Sequence, residues 1–146
     1  MTGQVLEPAR ADVLKQQFEG SPFSRKLGVE AVRFEPDRAV LRLPYTEANT
    51  TVADVVHGGA ILTLADIAAT AAAWTGVPNA LEYRGITVDL SLTFIAAGRA
   101  QALTADARVV RRGGTLTFLE VTVTDEGDEI VAKALATYKL SRVRAD

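Results

Sequence analysis

The chain has 146 residues, 48% hydrophobic and 23% charged, a size and balance that fit one folded domain with its own core and exclude a disordered chain. A formal charge of −2 offers no basic stripe for a nucleic-acid backbone, while the absence of cysteine and the single histidine exclude disulfides, thiolate chemistry and a multi-histidine metal site. Aromatics are only 6%, so much of the apolar content is alanine; a mean hydropathy of +0.12 leaves an apolar surplus whose usual use is contact between subunits.

Met1 to Arg10 has no apolar stretch behind a basic start, so no targeting segment is read and a cytoplasmic protein is expected. Pro8 to Glu19 carries Val13, Leu14 and Phe18 at helical spacing and precedes Gly20, which predicts a short helix within an N-terminal helical segment, residues 1–20. Gly28 to Phe34 and Arg38 to Leu43 read as strands joined at Glu35-Pro36-Asp37, a turn triplet.

Gly58 to Trp74 is the one long helix candidate, ended by Gly76 and Pro78 and apolar on nearly every side, so it must be enclosed. The apolar window is too short to span a bilayer and contains Asp66, so no membrane partner is expected. Four strand-like stretches follow: Ile86 to Ile95, Ala100 to Val110, Leu116 to Thr124 and Ile130 to Leu140. In the first, Ile86, Val88, Leu90, Leu92 and Phe94 alternate with Thr87, Asp89, Ser91 and Thr93, which assigns the threonine and aspartate to the polar face. Arg112-Gly113-Gly114 and Glu126-Gly127-Asp128 suit hairpins. The order of elements predicts an α+β domain spanning 1–146, an antiparallel sheet of five to six strands wrapped round one long central helix, with the short N-terminal helix beside it.

The window that carries chemistry is Val55-Val56-His57-Gly58-Gly59-Ala60-Ile61-Leu62-Thr63-Leu64-Ala65-Asp66. A helix that begins at a glycine pair leaves its first N–H groups open to a ligand oxygen, and its dipole favours negative charge there; equally, such a pair can simply let a helix pass close to a strand. Asp66 in an apolar helix must be ion-paired, solvated in a cleft or used. Gly59, Thr63, Asp66 and Thr70 fall at steps of four, three and four, one stripe that would line a cavity and contact substrate, while Ile61, Leu64, Ala65, Ala68 and Ala72 would pack on the sheet. Eight residues separate Gly58 from Asp66, about 12 Å of helix, too far for both to touch one reacting carbonyl. A single site built from both therefore needs two subunits with antiparallel helices, and Ala68, Ala69, Ala71, Ala72 and Ala73 would permit their close approach.

His57-Gly58-Gly59 followed by Asp66, together with Thr87-Val88-Asp89-Leu90-Ser91-Leu92-Thr93-Phe94, resembles the hotdog-fold acyl-CoA thioesterases, in particular the phenylacetate-degradation and 4-hydroxybenzoyl-CoA thioesterase-like types, over roughly Gly28 to Leu140. The resemblance implies hydrolysis of a small aryl or medium-chain acyl-CoA in a site shared across a homodimer or dimer of dimers, with no cofactor beyond the CoA of the substrate and no metal. It makes the Gly58 N–H the oxyanion donor and Asp66 of the other subunit the nucleophile or general base. Thr87, and Thr70 one turn beyond Asp66, would hold the water, and His57 would support the glycine turn. Where many relatives carry Asn or Gln, this chain has Thr51, with Asn49 two positions away and Asp54 nearby. Arg111 and Arg112 are the leading candidates for the CoA phosphates, ahead of Arg84, Arg99 and Lys139. Two other readings of the same fold are a non-catalytic acyl-CoA binding protein and an enoyl-CoA hydratase or dehydratase.

Overall fold

The computed structural model describes residues 5–144; the ends of the expected 1–20 segment and 1–146 domain, residues 1–4 and 145–146, lie outside that range. In chain order the elements are α1 (Pro8–Gly20), α2 (Pro22–Leu27), β1 (Glu30–Glu35), β2 (Arg38–Leu43), α3 (Gly58–Trp74), β3 (Tyr83–Phe94), β4 (Leu103–Arg112), β5 (Leu116–Thr124) and β6 (Ile130–Arg142), with single 3-10 turns at Glu47–Asn49 and Ala80–Glu82. All six strands form one antiparallel sheet in the order β1-β2-β4-β5-β6-β3. Because α3 joins β2 to β3 at the far edge, it crosses the sheet and packs against β2, β4, β5 and β6. The expected α+β architecture, a sheet wrapped on a central helix, is the one observed.

The core is a contact of small residues on aliphatic ones. Ala60, Leu64, Ala65, Ala68, Ala69, Ala71, Ala72 and Ala73 of α3 are buried, and facing them lie Leu41, Leu43, Ala105, Ala107, Leu119, Val121, Ala132 and Ala136. Small side chains on both surfaces let the helix axis come close to the sheet, where dispersion contacts are dense. One expectation is overturned here. The five alanines Ala68, Ala69, Ala71, Ala72 and Ala73 are all at or below 2% exposure in the single chain, because the curved sheet wraps more of the helix than one packing face. They offer no free surface to a partner helix. Apolar exposure sits elsewhere, and near α3 and β3 it includes Leu62, Ile86, Val88, Phe94 and Ile95.

Two of the sheet's four register irregularities bear on the site. In β3, Thr87 pairs with Tyr138 and Asp89 pairs with Thr137, so Val88 is an extra residue. In β4, Val109 pairs with Leu119 and Arg111 with Phe118, leaving Val110 extra. An extra residue reverses which face the following side chains occupy. Thr87 therefore lies on the helix side with Leu90 and Leu92, which corrects its assignment to a polar face shared with Asp89.

Helix α2 is not among the elements that the apolar spacing predicts, which pass from α1 directly to a strand. Its signals are present: Pro22 stands at the first helical position, and Gly28 closes the turn at φ 77, with its N–H donating to the Arg25 carbonyl at 3.2 Å. Among the described residues, no helix is long and apolar enough to cross a membrane.

Candidate active site

The site begins at the entry to α3. His57 has extended backbone and caps the helix: its Nδ1 accepts the Gly59 N–H at 2.8 Å, while its carbonyl accepts the N–H groups of Ala60 at 2.9 Å and Ile61 at 3.2 Å. Nδ1 can accept only in the neutral ring protonated at Nε2. These bonds leave the Gly58 N–H as the donor of the first turn that meets no acceptor among the described residues. The preceding segment is fixed on two sides, because the His57 N–H donates to the Asn49 carbonyl at 2.7 Å and the Val56 N–H to the Gly98 carbonyl at 2.9 Å.

Two turns further on, Asp66 is half-buried and carries no ion pair among the described residues. The Thr87 hydroxyl donates to its Oδ1 at 2.8 Å. That bond exists because the Val88 bulge turns Thr87 toward the helix. One carboxylate oxygen is held by a neutral donor and the other meets no donor among the described residues. Beneath lies a buried aromatic pair: the Trp74 indole N–H donates to the Tyr138 hydroxyl at 2.9 Å. Burial pushes the Tyr138 phenol above its ordinary value and the nearby Asp66 charge adds to this, against the opposing Trp74 hydrogen bond. Gly85 leaves room for that phenol, since a Cβ at this position would lie 2.4 Å from the Tyr138 oxygen.

The other predicted residues divide into those near the site and those engaged elsewhere. Thr63 and Thr70 are half-buried on the Asp66 stripe; the Thr63 hydroxyl donates to the Gly59 carbonyl at 2.8 Å, and that of Thr70 makes no bond to another described side chain or carbonyl. The Gly59 N–H is occupied by His57. Thr51 is exposed at the rim of a groove beside Gly58. Asn49 turns away, its amide donating to the Leu27 carbonyl at 3.2 Å, and Asp54 pairs with Arg99 at 3.1 Å.

The pleat of β4 puts the two candidate arginines on opposite faces, and the Val110 bulge makes Arg112, not Arg111, the one on the helix side. Arg112 reaches the helix side, where it pairs with Asp37 at 2.8 Å and donates to the Ala72 carbonyl at 3.3 Å, thereby tying the end of α3 to the β1–β2 turn. Gly76 leaves room for it: a Cβ there would lie 2.4 Å from the guanidinium carbon and would displace the arginine from these partners. Arg111 is on the opposite face and exposed, as are Arg84 and Lys139. Among the described residues no cluster of histidine, aspartate and glutamate is arranged to hold a metal.

Two features escaped the sequence reading. One is the Tyr138 phenol, which alternation marks only as one more buried aromatic. The other is the groove of about 320 Å³ between the Thr51–Val56 loop, the start of α3 and the Phe94–Gly98 segment. Its signal was the run Ala96-Ala97-Gly98, small residues that let a second loop lie against the entry to α3.

The thioesterase superfamily profile matches residues 53–132, which include His57, Gly58, Asp66 and Thr87. A Saccharolobus solfataricus protein provisionally named as an esterase is 30% identical over 118 residues, covering 81% of this chain and 82% of its own. The medium/long-chain acyl-CoA thioesterase YigI of Escherichia coli is 28% identical over 131 residues, covering 80% and 84%. Among solved structures, a thioesterase family protein from Silicibacter pomeroyi superposes with a TM-score of 0.81 at 26% identity, covering 89% of this chain and 96% of that one. The chain belongs to the thioesterase superfamily, enzymes of thioester hydrolysis, and has their hotdog fold.

Proposed function

We propose that the protein hydrolyses a small aryl or medium-chain acyl-CoA to the free acid and CoA, with no cofactor beyond the CoA of its substrate. The observation that carries this reading is a half-buried, unpaired Asp66 held by Thr87, on the same helix whose first N–H, that of Gly58, has no acceptor among the described residues. The thioester oxygen accepts the Gly58 N–H, and charge developing there is further favoured by the helix dipole. Asp66 either attacks the carbonyl carbon or takes a proton from the attacking water. When Asp66 attacks, the C–S bond breaks, CoA leaves as a thiolate, and water then hydrolyses the mixed anhydride, which frees the acid and Asp66 and supplies the proton that CoA takes; when Asp66 acts as base, the water oxygen adds to the carbonyl, the C–S bond breaks, and the proton held by Asp66 passes to the CoA thiolate.

Within one chain the two groups are two turns apart, about 12 Å, so this chemistry calls for Gly58 of one subunit and Asp66 of another. The free edge of β3 supports such a pairing: the strand has one neighbour, β6, and its edge carries Ile86 at 64% and Val88 at 56% exposure. An unpaired apolar edge is a template for a second copy, and joining two β3 edges brings the Asp66 stripe of each subunit toward the other. Dimer formation then replaces the helix-to-helix alanine contact expected from sequence.

The test is release of free thiol from a panel of acyl-CoAs, with Asp66→Asn as the control. Turnover by the wild type and a loss of about a hundredfold or more in kcat with little change in KM are expected. Binding of acyl-CoA without turnover would establish the non-catalytic alternative instead, and hydration of an enoyl-CoA without thiol release the hydratase. A monomer at micromolar concentration that is fully active would refute the shared site.

A further inference from the structure

Phe94 ends β3 beside the first residue of α3. Its ring lies so close to Gly58 that a Cβ there would meet Cζ at 3.2 Å, yet the side chain is 54% exposed. Half of a large aromatic is thus left facing water beside the unpaired Gly58 N–H. The ring forms one wall of the groove of about 320 Å³, together with Val55, Ile61 and Ile95. That volume is at the small end of ligand sites, and the lining contains no charged side chain.

The lining decides which part of a thioester fits. A pantetheine arm carries two amides, each needing partners once it leaves water. Only the Thr51 hydroxyl and the Gly58 N–H are available as side-chain or helix-end donors, and the thioester oxygen uses the second. The CoA phosphates meet no cation there. An acyl group needs no such partners, and an aryl acyl group gains a ring-to-ring contact with Phe94 that an alkyl chain cannot make.

Resting on the hydrolytic reading above, we propose that Phe94 is a specificity-determining residue: it receives the acyl group over the first turn of α3 and selects aryl over alkyl acyl-CoA. An aromatic pair gains about twofold to tenfold beyond the burial of its area. Phe94→Leu keeps an apolar branched side chain and removes the ring. The ratio of kcat/KM for phenylacetyl-CoA to that for hexanoyl-CoA is expected to fall about fivefold in this variant, with the change in KM of the aryl substrate. An unchanged ratio, or an equal loss on both substrates as contact with the CoA arm would produce, overturns the proposal. If the wild type hydrolyses neither ester, the hydrolytic reading fails and the groove is read by calorimetric titration with the thioethers S-phenethyl-CoA and S-hexyl-CoA. Preference for the aryl thioether that is lost in Phe94→Leu supports the assignment; equal affinity, or no binding, in the wild type overturns it.

Discussion

Thr87→Val isolates one hydrogen bond in the candidate site. Valine keeps the branched shape and the strand propensity of threonine while removing the hydroxyl that donates to Asp66 Oδ1 at 2.8 Å. A hydrogen bond to a charged group is worth about 1.5–3 kcal/mol. Both partners are half-buried, so water replaces part of the lost bond and the lower half of that range applies. At 1.4 kcal/mol per factor of ten, the cost is about tenfold to fortyfold in kcat, with KM within about threefold because the hydroxyl aims the carboxylate and not the CoA. Thiol release under saturating acyl-CoA reads this directly. Thr87→Ser should recover most of the rate, since it restores the donor. In the Asp66→Asn background the valine change should cost almost nothing further, as two groups acting as one unit are not additive. Full additivity of the two losses, or no loss in Thr87→Val alone, would refute the claim that Thr87 works through Asp66.

Three further outcomes follow from the same geometry. His57→Ala removes the acceptor of the Gly59 N–H and should cost about 1 kcal/mol of stability, measured by denaturant titration; His57→Asn and His57→Asp should both recover it, but the aspartate should lower turnover by placing negative charge beside the Gly58 N–H. Gly85→Ala drives a methyl into the buried Tyr138 phenol and should destabilise by about 1–3 kcal/mol, visible as a Tm several degrees lower. Burial alone would raise the Asp106 carboxyl, but Arg38, in a two-pronged contact at 2.9 Å on each oxygen, and Arg108 hold it below its ordinary value. Its contribution to stability is therefore present above the unfolded aspartate value of about 3.9 and is lost as pH falls through the lower folded value; Asp106→Asn should flatten the fall of Tm as pH drops below about 4.

Local chemistry made much of the fold legible. Periodicity placed α3 from Gly58 to Trp74 at both ends, because an apolar run bounded by paired glycines and by Gly76 and Pro78 admits no other element. The hairpins at Glu35-Pro36-Asp37, Arg112-Gly113-Gly114 and Glu126-Gly127-Asp128 are set by residues that favour tight turns, and Asp37 and Asp128 adopt φ of 62 and 63. In the site, Gly58, Asp66 and Thr87 were legible as types of residue in a spaced pattern, and the length of helix between Gly58 and Asp66 was legible as a distance.

Whatever depends on neighbours along the chain can be read without the fold: helix and turn positions, the polar stripe of α3, and the classes of chemistry excluded by one histidine and no cysteine. Only the assembled fold settled which face Thr87 occupies, which of Arg111 and Arg112 turns to the helix, and that the α3 alanines are consumed by the chain's own sheet. Each of these depends on pairing between strands distant in sequence. A bulge is a mismatch between two strands, so no pattern in β3 alone reveals that Val88 has no opposite number. Burial of an alanine likewise depends on how far a sheet curls round a helix, which is set by six strands together.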